Sequence, residues 1–346
     1  MRTLVFILSA AAILFLTTCD EESPILPNYE YSLRAIKIFN LDSNVEKKLI
    51  SVYKQVRSCV LLDTTKLIYS TGFEDGDEYH GYGGGGKLVI RDLVNLNDYN
   101  QYFSYGYIQS FKVYPDINSI FLSDGDDLFR VIGEGELVVN LTNSFGVAEE
   151  SPVFSTNNSL LVYRHLDYNN YFSALLSQNL INNAVDTLVI SQNSNLLGAI
   201  FILENSNRLI YYELTDTRTA GWIKSVNLLN LFDVQTLTDS IPITTIGKIK
   251  STDDKIAFTS AGTVYMLNLI TAEIEAIATG AQSACISNDG QKIVYTTRQE
   301  LFLVNSDGTN TRKLISKVSS NKYLFLPSFS NDDQQILFLE SDNPYD

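Results

Sequence analysis

The stretch ACISNDGQKIVY (Ala284–Tyr295) decides how this chain is read. It is an apolar strand ending in Ser, a polar turn and a second apolar strand, and it returns without a gap as PVFSTNNSLLVY (Pro152–Tyr163) and PSFSNDDQQILF (Pro327–Phe338). Looser copies are CVLLDTTKLIY (Cys59–Tyr69), KVYPDINSIFL (Lys112–Leu122), FILENSNRLIY (Phe201–Tyr211) and KIKSTDDKIAF (Lys248–Phe258), which makes seven units. Their second strands are anchored at Leu67, Ile120, Leu161, Leu209, Ile256, Ile293 and Ile336, at spacings of 53, 41, 48, 47, 37 and 43 residues. A mean spacing of about 45 is the period of a four-stranded propeller blade. The second strand pair of a unit is clearest in ELFLVNSDGTNTRKLI (Glu300–Ile315), where Asp307-Gly308 marks a hairpin turn.

The two ends of the chain complete the pattern. The last unit stops after its second strand near Glu340, while IKIFNLDSNVEKKLI (Ile36–Ile50) matches the pattern of Leu301–Ile315. The N-terminal strands therefore supply the missing outer half of the last unit. The expected fold is all-β: a single propeller of seven four-stranded blades, with N- and C-terminal strands closing one blade and removing two sheet edges. Abundant Tyr (20) and Phe (18), with runs such as Leu88-Val89-Ile90, agree with pleated strands.

The turns Ser287-Asn288-Asp289-Gly290 and Ser330-Asn331-Asp332, the Pro327-Ser328-Phe329 strand before the latter, and the late turn Asp307-Gly308-Thr309-Asn310 resemble the repeat of the TolB-like propeller family. The resemblance covers roughly residues 33–341 and is strong in units 3, 6 and 7. It implies a propeller fold and a general role in protein or ligand binding, and carries no catalytic site, since one fold hosts many functions.

The N-terminus reads as an address. Arg2 precedes an apolar run, Leu4–Leu16, which is too short to span a bilayer and is flanked as in a secretory signal peptide. The run ends in Leu16-Thr17-Thr18-Cys19, which resembles a bacterial lipobox with Cys19 as the lipidated residue, although Thr18 stands where a smaller residue is usual. Asp20-Glu21-Glu22 is similar to the acidic export tag of surface lipoproteins in Bacteroidetes-type bacteria. Residues 1–18 are thus expected to be the signal peptide, 19–32 a lipidated tether and 33–346 the propeller, held at the cell envelope on an outer membrane or cell surface through Cys19. The formal net charge of −15 opposes nucleic acid as a partner.

No residue pattern announces catalysis, a metal or a cofactor. Gly81-Tyr82-Gly83-Gly84-Gly85-Gly86-Lys87 spaces like a phosphate-binding loop, but Leu88 replaces its hydroxyl residue and a strand follows, so a hairpin loop is expected. Asp75, Asp77 and Glu78, and Asp124, Asp126 and Asp127, fit no calcium loop and read as solvated turns. His80 and His165 both fall in loops between second and third strands by this reading, and two His without a third ligand make a poor metal site. Cys59 and Cys285 align on the innermost strands of units 1 and 6, with unit 7 between them, and should be reduced, buried and too distant to bridge.

In a meandering blade the loops joining strands two and three share a face with the crossings between blades. Those loops are longest in units 1, 3 and 4 and carry aromatics, so Tyr79, His80, Tyr82, His165, Tyr168 and Trp222 are the candidate ligand-binding residues. Phe73, Tyr171 and Arg218 accompany them. The resulting expectation is a non-enzymatic scaffold that binds a protein partner or a glycan through that face. Alternatives are a lyase-type propeller enzyme acting on acidic polysaccharide and a structural subunit of an envelope complex.

Overall fold

The computed structural model describes residues 34–342 apart from 53–55, 62–64, 72–85, 96, 104–107, 109, 115–118, 125, 134–136, 145–146, 156–158, 168–171, 192–195, 204–205, 216–219, 239–249, 252–253, 317–318 and 320. Cys19 and the rest of the N-terminal segment lie outside the described residues. Seven four-stranded antiparallel sheets form a seven-bladed propeller. The chain begins with β1 (Arg34–Asn40) and β2 (Val45–Val52), and then builds blade 1 from β3 (Val56–Leu61), β4 (Lys66–Thr71), β5 (Gly86–Asp92) and β6 (Asp98–Phe103). Blade 2 is β7 (Ser110–Tyr114), β8 (Ser119–Ser123), β9 (Leu128–Ile132) and β10 (Leu137–Asn140), and blade 3 is β11 (Ala148–Phe154), β12 (Leu160–Asp167), β13 (Phe172–Asn179) and β14 (Val185–Ser191). Blade 4 is β15 (Leu196–Leu203), β16 (Arg208–Leu214), β17 (Gly221–Asn227) and β18 (Asn230–Thr236), and blade 5 is β19 (Lys250–Ser251), β20 (Lys255–Ser260), β21 (Thr263–Asn268) and β22 (Ile274–Thr279). Blade 6 is β23 (Ser283–Ile286), β24 (Lys292–Thr296), β25 (Leu301–Asn305) and β26 (Arg312–Ile315), followed by β27 (Tyr323–Phe329) and β28 (Gln335–Ser341).

Those last two strands pair with the first two in the order β2-β1-β28-β27, so blade 7 is shared between the chain ends. Arg34 faces Ser341 and Asn40 faces Gln335 along an unbroken register. The closure expected from the half-units is the closure observed.

Each anchor is the second residue of its strand, and all seven are at most 4% exposed. The reason is the stacking of sheets on one another, which buries both faces of a middle strand and so reads as a continuous apolar run. In blade 7, Ile36, Ile38, Leu337 and Leu339 pack on Val56, Cys59 and Leu67 of blade 1, whereas Phe39, Ile336 and Phe338 pack on Cys285, Val294 and Leu301 of blade 6. The two cysteines are buried, are not disulfide-bonded and sit in clusters on opposite faces of blade 7. The outermost strands β10, β18 and β22 are instead largely exposed.

The face opposite the strand-two-to-three loops is built from turns that repeat. In blade 6 Ser287 Oγ donates to Asp289 Oδ1 (2.6 Å) and accepts the Lys292 amide (2.9 Å); in blade 7 Ser330 does the same with Asp332 (2.6 Å) and Gln335 (3.0 Å). Asp333 then joins the two blades, accepting from the Asn288 amide (2.8 Å), the Asn288 side chain (2.8 Å) and the Asp289 amide (3.1 Å). The resembled family motif is therefore a hydrogen-bonded staple between neighbouring turns.

Candidate functional site

Of the six residues singled out from the sequence, Tyr79, His80, Tyr82 and Tyr168 lie outside the described residues, as do Phe73, Tyr171, Arg218 and the acidic group Asp75, Asp77 and Glu78. The other two are displaced from their expected setting. His165 is not in a loop but in β12, opposite Glu149 of β11 and Ala174 of β13, because the β12–β13 hairpin runs on to Asp167 and Phe172. Its side chain is only 19% exposed, so the expected surface position is also corrected. Trp222 is likewise in a strand, β17, opposite Glu213, with Lys224 Nζ 5.5 Å above its ring.

The polar centre of this face is the first strand of blade 3. Twelve residues before their anchors, blades 2, 4, 6 and 7 bury Ile108, Leu197, Ala281 and Leu324; blade 3 buries Glu149 there, at 2% exposure. Its Oε1 accepts from Ser144 Oγ (3.0 Å) and lies 3.5 Å from His165 Nδ1, while Ser123 Oγ donates to its carbonyl (2.6 Å). Thr142 stands beside the carboxylate, but its hydroxyl is engaged with the Leu128 amide (3.0 Å) and Asp127 (3.4 Å). Oε2 is buried with no hydrogen-bond partner among the described residues. Burial pushes the Glu149 carboxyl above its ordinary range, against the pull of Thr142, Ser144 and His165. Tyr163, two residues along the same face of β12, is pushed up by burial and by the Glu149 charge.

The next residue alternates to the other side of the sheet, as β geometry requires. Glu150 forms an ion pair with Arg164, with side chains 8% and 13% exposed, and Arg164 Nη1 also donates to the Leu197 carbonyl of blade 4 (3.3 Å). At the equivalent pair blade 4 sets Tyr212 over Gly198, where a Cβ would collide with the ring, and blade 7 sets Leu339 against Phe325. Asp124, expected in a solvated turn, is buried, and desolvation raises its pKa against the opposing pull of the Asp127 (3.0 Å) and Asp126 (3.1 Å) amides that it accepts. Among the described residues no group of three His, Cys, Asp or Glu side chains is arranged to hold a metal.

A cleft of about 570 Å³ opens on the same face between blades 5 and 6. It exists because the crossing there is Gly280-Ala281: Gly280 takes φ +77°, a Cβ on it would meet nothing, and Ala281 replaces the large apolar residue of other blades. Gln282, Arg298, Gln299 and Glu300 give it polar walls. Gln282 Oε1 is buried without a partner among the described residues, and Arg298 is exposed with no ion-pair partner among them. Sequence reading missed Glu149, Glu150, Arg164, Gln282 and Arg298. The signal for the first was present, as a charge at a position counted from the anchor that other units fill with apolar residues.

No protein-family model matches the chain, and no curated protein matches it in sequence. Solved structures resemble it in fold. An oligogalacturonate lyase in complex with manganese is 13% identical, over 89% of this chain and 90% of that one, with a TM-score of 0.61. An oligogalacturonate lyase from Vibrio parahaemolyticus is 12% identical, over 90% of this chain and 97% of that one, with a TM-score of 0.62. A TolB-type protein from Agrobacterium tumefaciens is 13% identical, over 90% of this chain and 98% of that one, with a TM-score of 0.48. At these identities the two lyases share the architecture of this chain and nothing narrower.

Proposed function

We propose that this chain is an exported, lipid-anchored propeller that binds a glycan or a protein partner on the face carrying the strand-two-to-three loops. The observation that carries the reading is Glu149. A buried carboxyl with one oxygen unpartnered among the described residues costs stability at a position where four other blades are apolar, and such costs concentrate at functional sites. The cleft beside Arg298 and Gln282 opens on that face too, and the sequence assigns the aromatic residues Tyr79, Tyr82 and Tyr168 to its longer loops, which on a rigid scaffold are where binding residues gather. Anchoring through Cys19 follows from the lipobox-like Leu16-Thr17-Thr18-Cys19.

The test is binding of the chain from residue 19 onward to a glycan array and to detergent-solubilised envelope extract. Whatever is retained is then compared across Glu149→Gln, His165→Ala, Arg298→Ala and Tyr82→Ala, with Asp333→Asn on the opposite face as control. Loss of at least tenfold in affinity for one or more of the first four and not for the control is expected. Loss confined to the control would place the ligand on the other face. A large stoichiometric complex recovered from the envelope extract would favour the structural-subunit alternative.

One observation favours a second reading, acid-base chemistry on an acidic polysaccharide. Glu149 and His165 form a carboxylate-imidazole pair 3.5 Å apart on this face, and the two lyases of like fold act on oligogalacturonate. Incubation with oligogalacturonate and manganese, followed by the ultraviolet absorbance of an unsaturated product, decides it: product that is lost in Glu149→Gln replaces the binding role with a catalytic one.

A further inference from the structure

On the face away from the proposed ligand site, the turns joining strands three and four follow one rule. Asp92, Asn179, Asn227 and Asn268 each cap the turn by accepting the amide two residues on, at 2.7, 2.9, 2.9 and 2.9 Å. The Leu between cap and tip is half-buried, and its amide donates back to the neighbouring turn, as Leu180 does to Ser159 (2.9 Å) and Leu228 to Asn207 (2.7 Å). The tip then has nowhere to go but outward. It is Val94 in blade 1, Ile181 in blade 3, Leu229 in blade 4 and Ile270 in blade 5, exposed by 68%, 82%, 80% and 80%. In blades 6 and 7 the same position is Asp307 and Asp42.

The apolar tips of blades 3, 4 and 5 are neighbours and are extended by the strands that leave them. Val185 is 51% exposed, Phe232 99% and Ile274 39%. The result is an apolar arc over blades 3, 4 and 5, while the tips of blades 6 and 7 are Asp307 and Asp42 with Arg312, Glu46 and Lys47 close by, and Val45 (55% exposed) and the blade 1 tip Val94 stand as single apolar residues among them. An aliphatic at the tip of four separate turns is not needed by the turn, since Asp serves there equally well, and exposed apolar clusters of this kind mark an interaction surface.

We infer that this arc rests on the surface of a zwitterionic lipid bilayer, with the ligand face turned away from it. The inference rests on the anchoring reading above, and three features choose lipid as the occupant. The tips stand apart on different blades and are flanked by Asn182, Asn230 and Thr271 without a charge among them, which suits a fluid apolar medium that needs no shape complementarity. The carboxylates nearest in sequence, Asp186, Asp233, Glu273 and Glu275, oppose anionic headgroups. The tether reaches: residues 20–33 span roughly 45–50 Å when extended, and enter β1 at the ligand face where Arg34 meets Ser341. The seven residues of β1 then cross the body in about 24 Å, so a lipid on Cys19 lies within reach of the plane of the tips.

The experiment uses the chain from residue 19 with Cys19→Ser, which retains every described strand and carries no lipid, floated with phosphatidylcholine vesicles. Cofloatation is expected, and the combined Ile181→Ser, Leu229→Ser, Phe232→Ser and Ile270→Ser variant is expected to lose at least tenfold in partitioning at unchanged melting temperature. Failure of the parent to float, or equal flotation of the variant, overturns the proposal. A parent that sediments as a dimer while the variant is monomeric also overturns it, giving the arc to a second copy of the chain. Mass spectrometry of Cys19 in the exported protein tests the anchor separately, so the two ideas fail independently.

Discussion

Blades 3 and 7 use the same backbone and solve the same packing problem with opposite chemistry. At two equivalent pairs of positions in the first and second strands, blade 7 has Leu324 facing Glu340 and Phe325 facing Leu339, while blade 3 has Glu149 facing His165 and Glu150 facing Arg164. Both first strands carry the same irregularity, with Ser151 at φ +54° and Leu326 at φ +48°, so the frame is conserved while its contents are exchanged. At the second pair the difference teaches that the propeller needs volume, not charge. Phe325 and Leu339 of blade 7 show that apolar contents suffice there, so the Glu150–Arg164 charges of blade 3 answer to something other than folding.

The strongest way to break the comparison is to leave one charge without its partner. Arg164→Ala should lose about 3–5 kcal/mol, because Glu150 would remain buried and unpaired. Urea unfolding of parent and variant measures it, and a loss below about 1 kcal/mol would show that water reaches Glu150 freely. Converting blade 3 toward blade 7, with Glu150→Leu and Arg164→Met together, should be neutral or stabilising by up to about 4 kcal/mol. A destabilised double variant would mean that the ion pair is itself structural.

Glu149→Gln sharpens the comparison by removing a charge while keeping an acceptor for Ser144. Because burial raises the folded-state carboxyl above 4.5, folding loses stability as pH climbs from that value toward and through the folded-state pKa. The Gln variant should therefore be more stable at pH 7, by on the order of 1 kcal/mol, and this gain should vanish below about pH 4.5. Thermal melts at both pH values read it directly. The smallest effect is expected on the opposite face, where Asp333→Asn weakens a half-exposed staple between blades 6 and 7 and should cost no more than about 1 kcal/mol.

The fold was legible because its signal is repeated. Seven anchors and two complementary half-units had to agree, and stacking sheets bury Leu161 and Ile336 for the same reason. The site was less legible because it consists of departures from the repeat. His165 and Asp167 looked like the start of a turn, since polar residues after an apolar run usually end a strand, but here the hairpin continues past them. Glu149 and Glu150 stand just before the Pro152–Tyr163 repeat and so drew no expectation. Only a partner for each, visible in three dimensions, reveals that they belong to the strand.

The shared blade also dictates when the molecule can become a ring. Lys37 of the first strand bonds Glu340 of the last at 2.6 Å, across 303 residues of chain. Until β27 and β28 have emerged, β1 and β2 have no sheet to join and blades 1 and 6 each lack the neighbour that covers Cys59 or Cys285. A chain synthesised from its N-terminus thus carries its own delay. Contacts so distant in sequence form late, and the strand made first is the one whose partner is last to arrive.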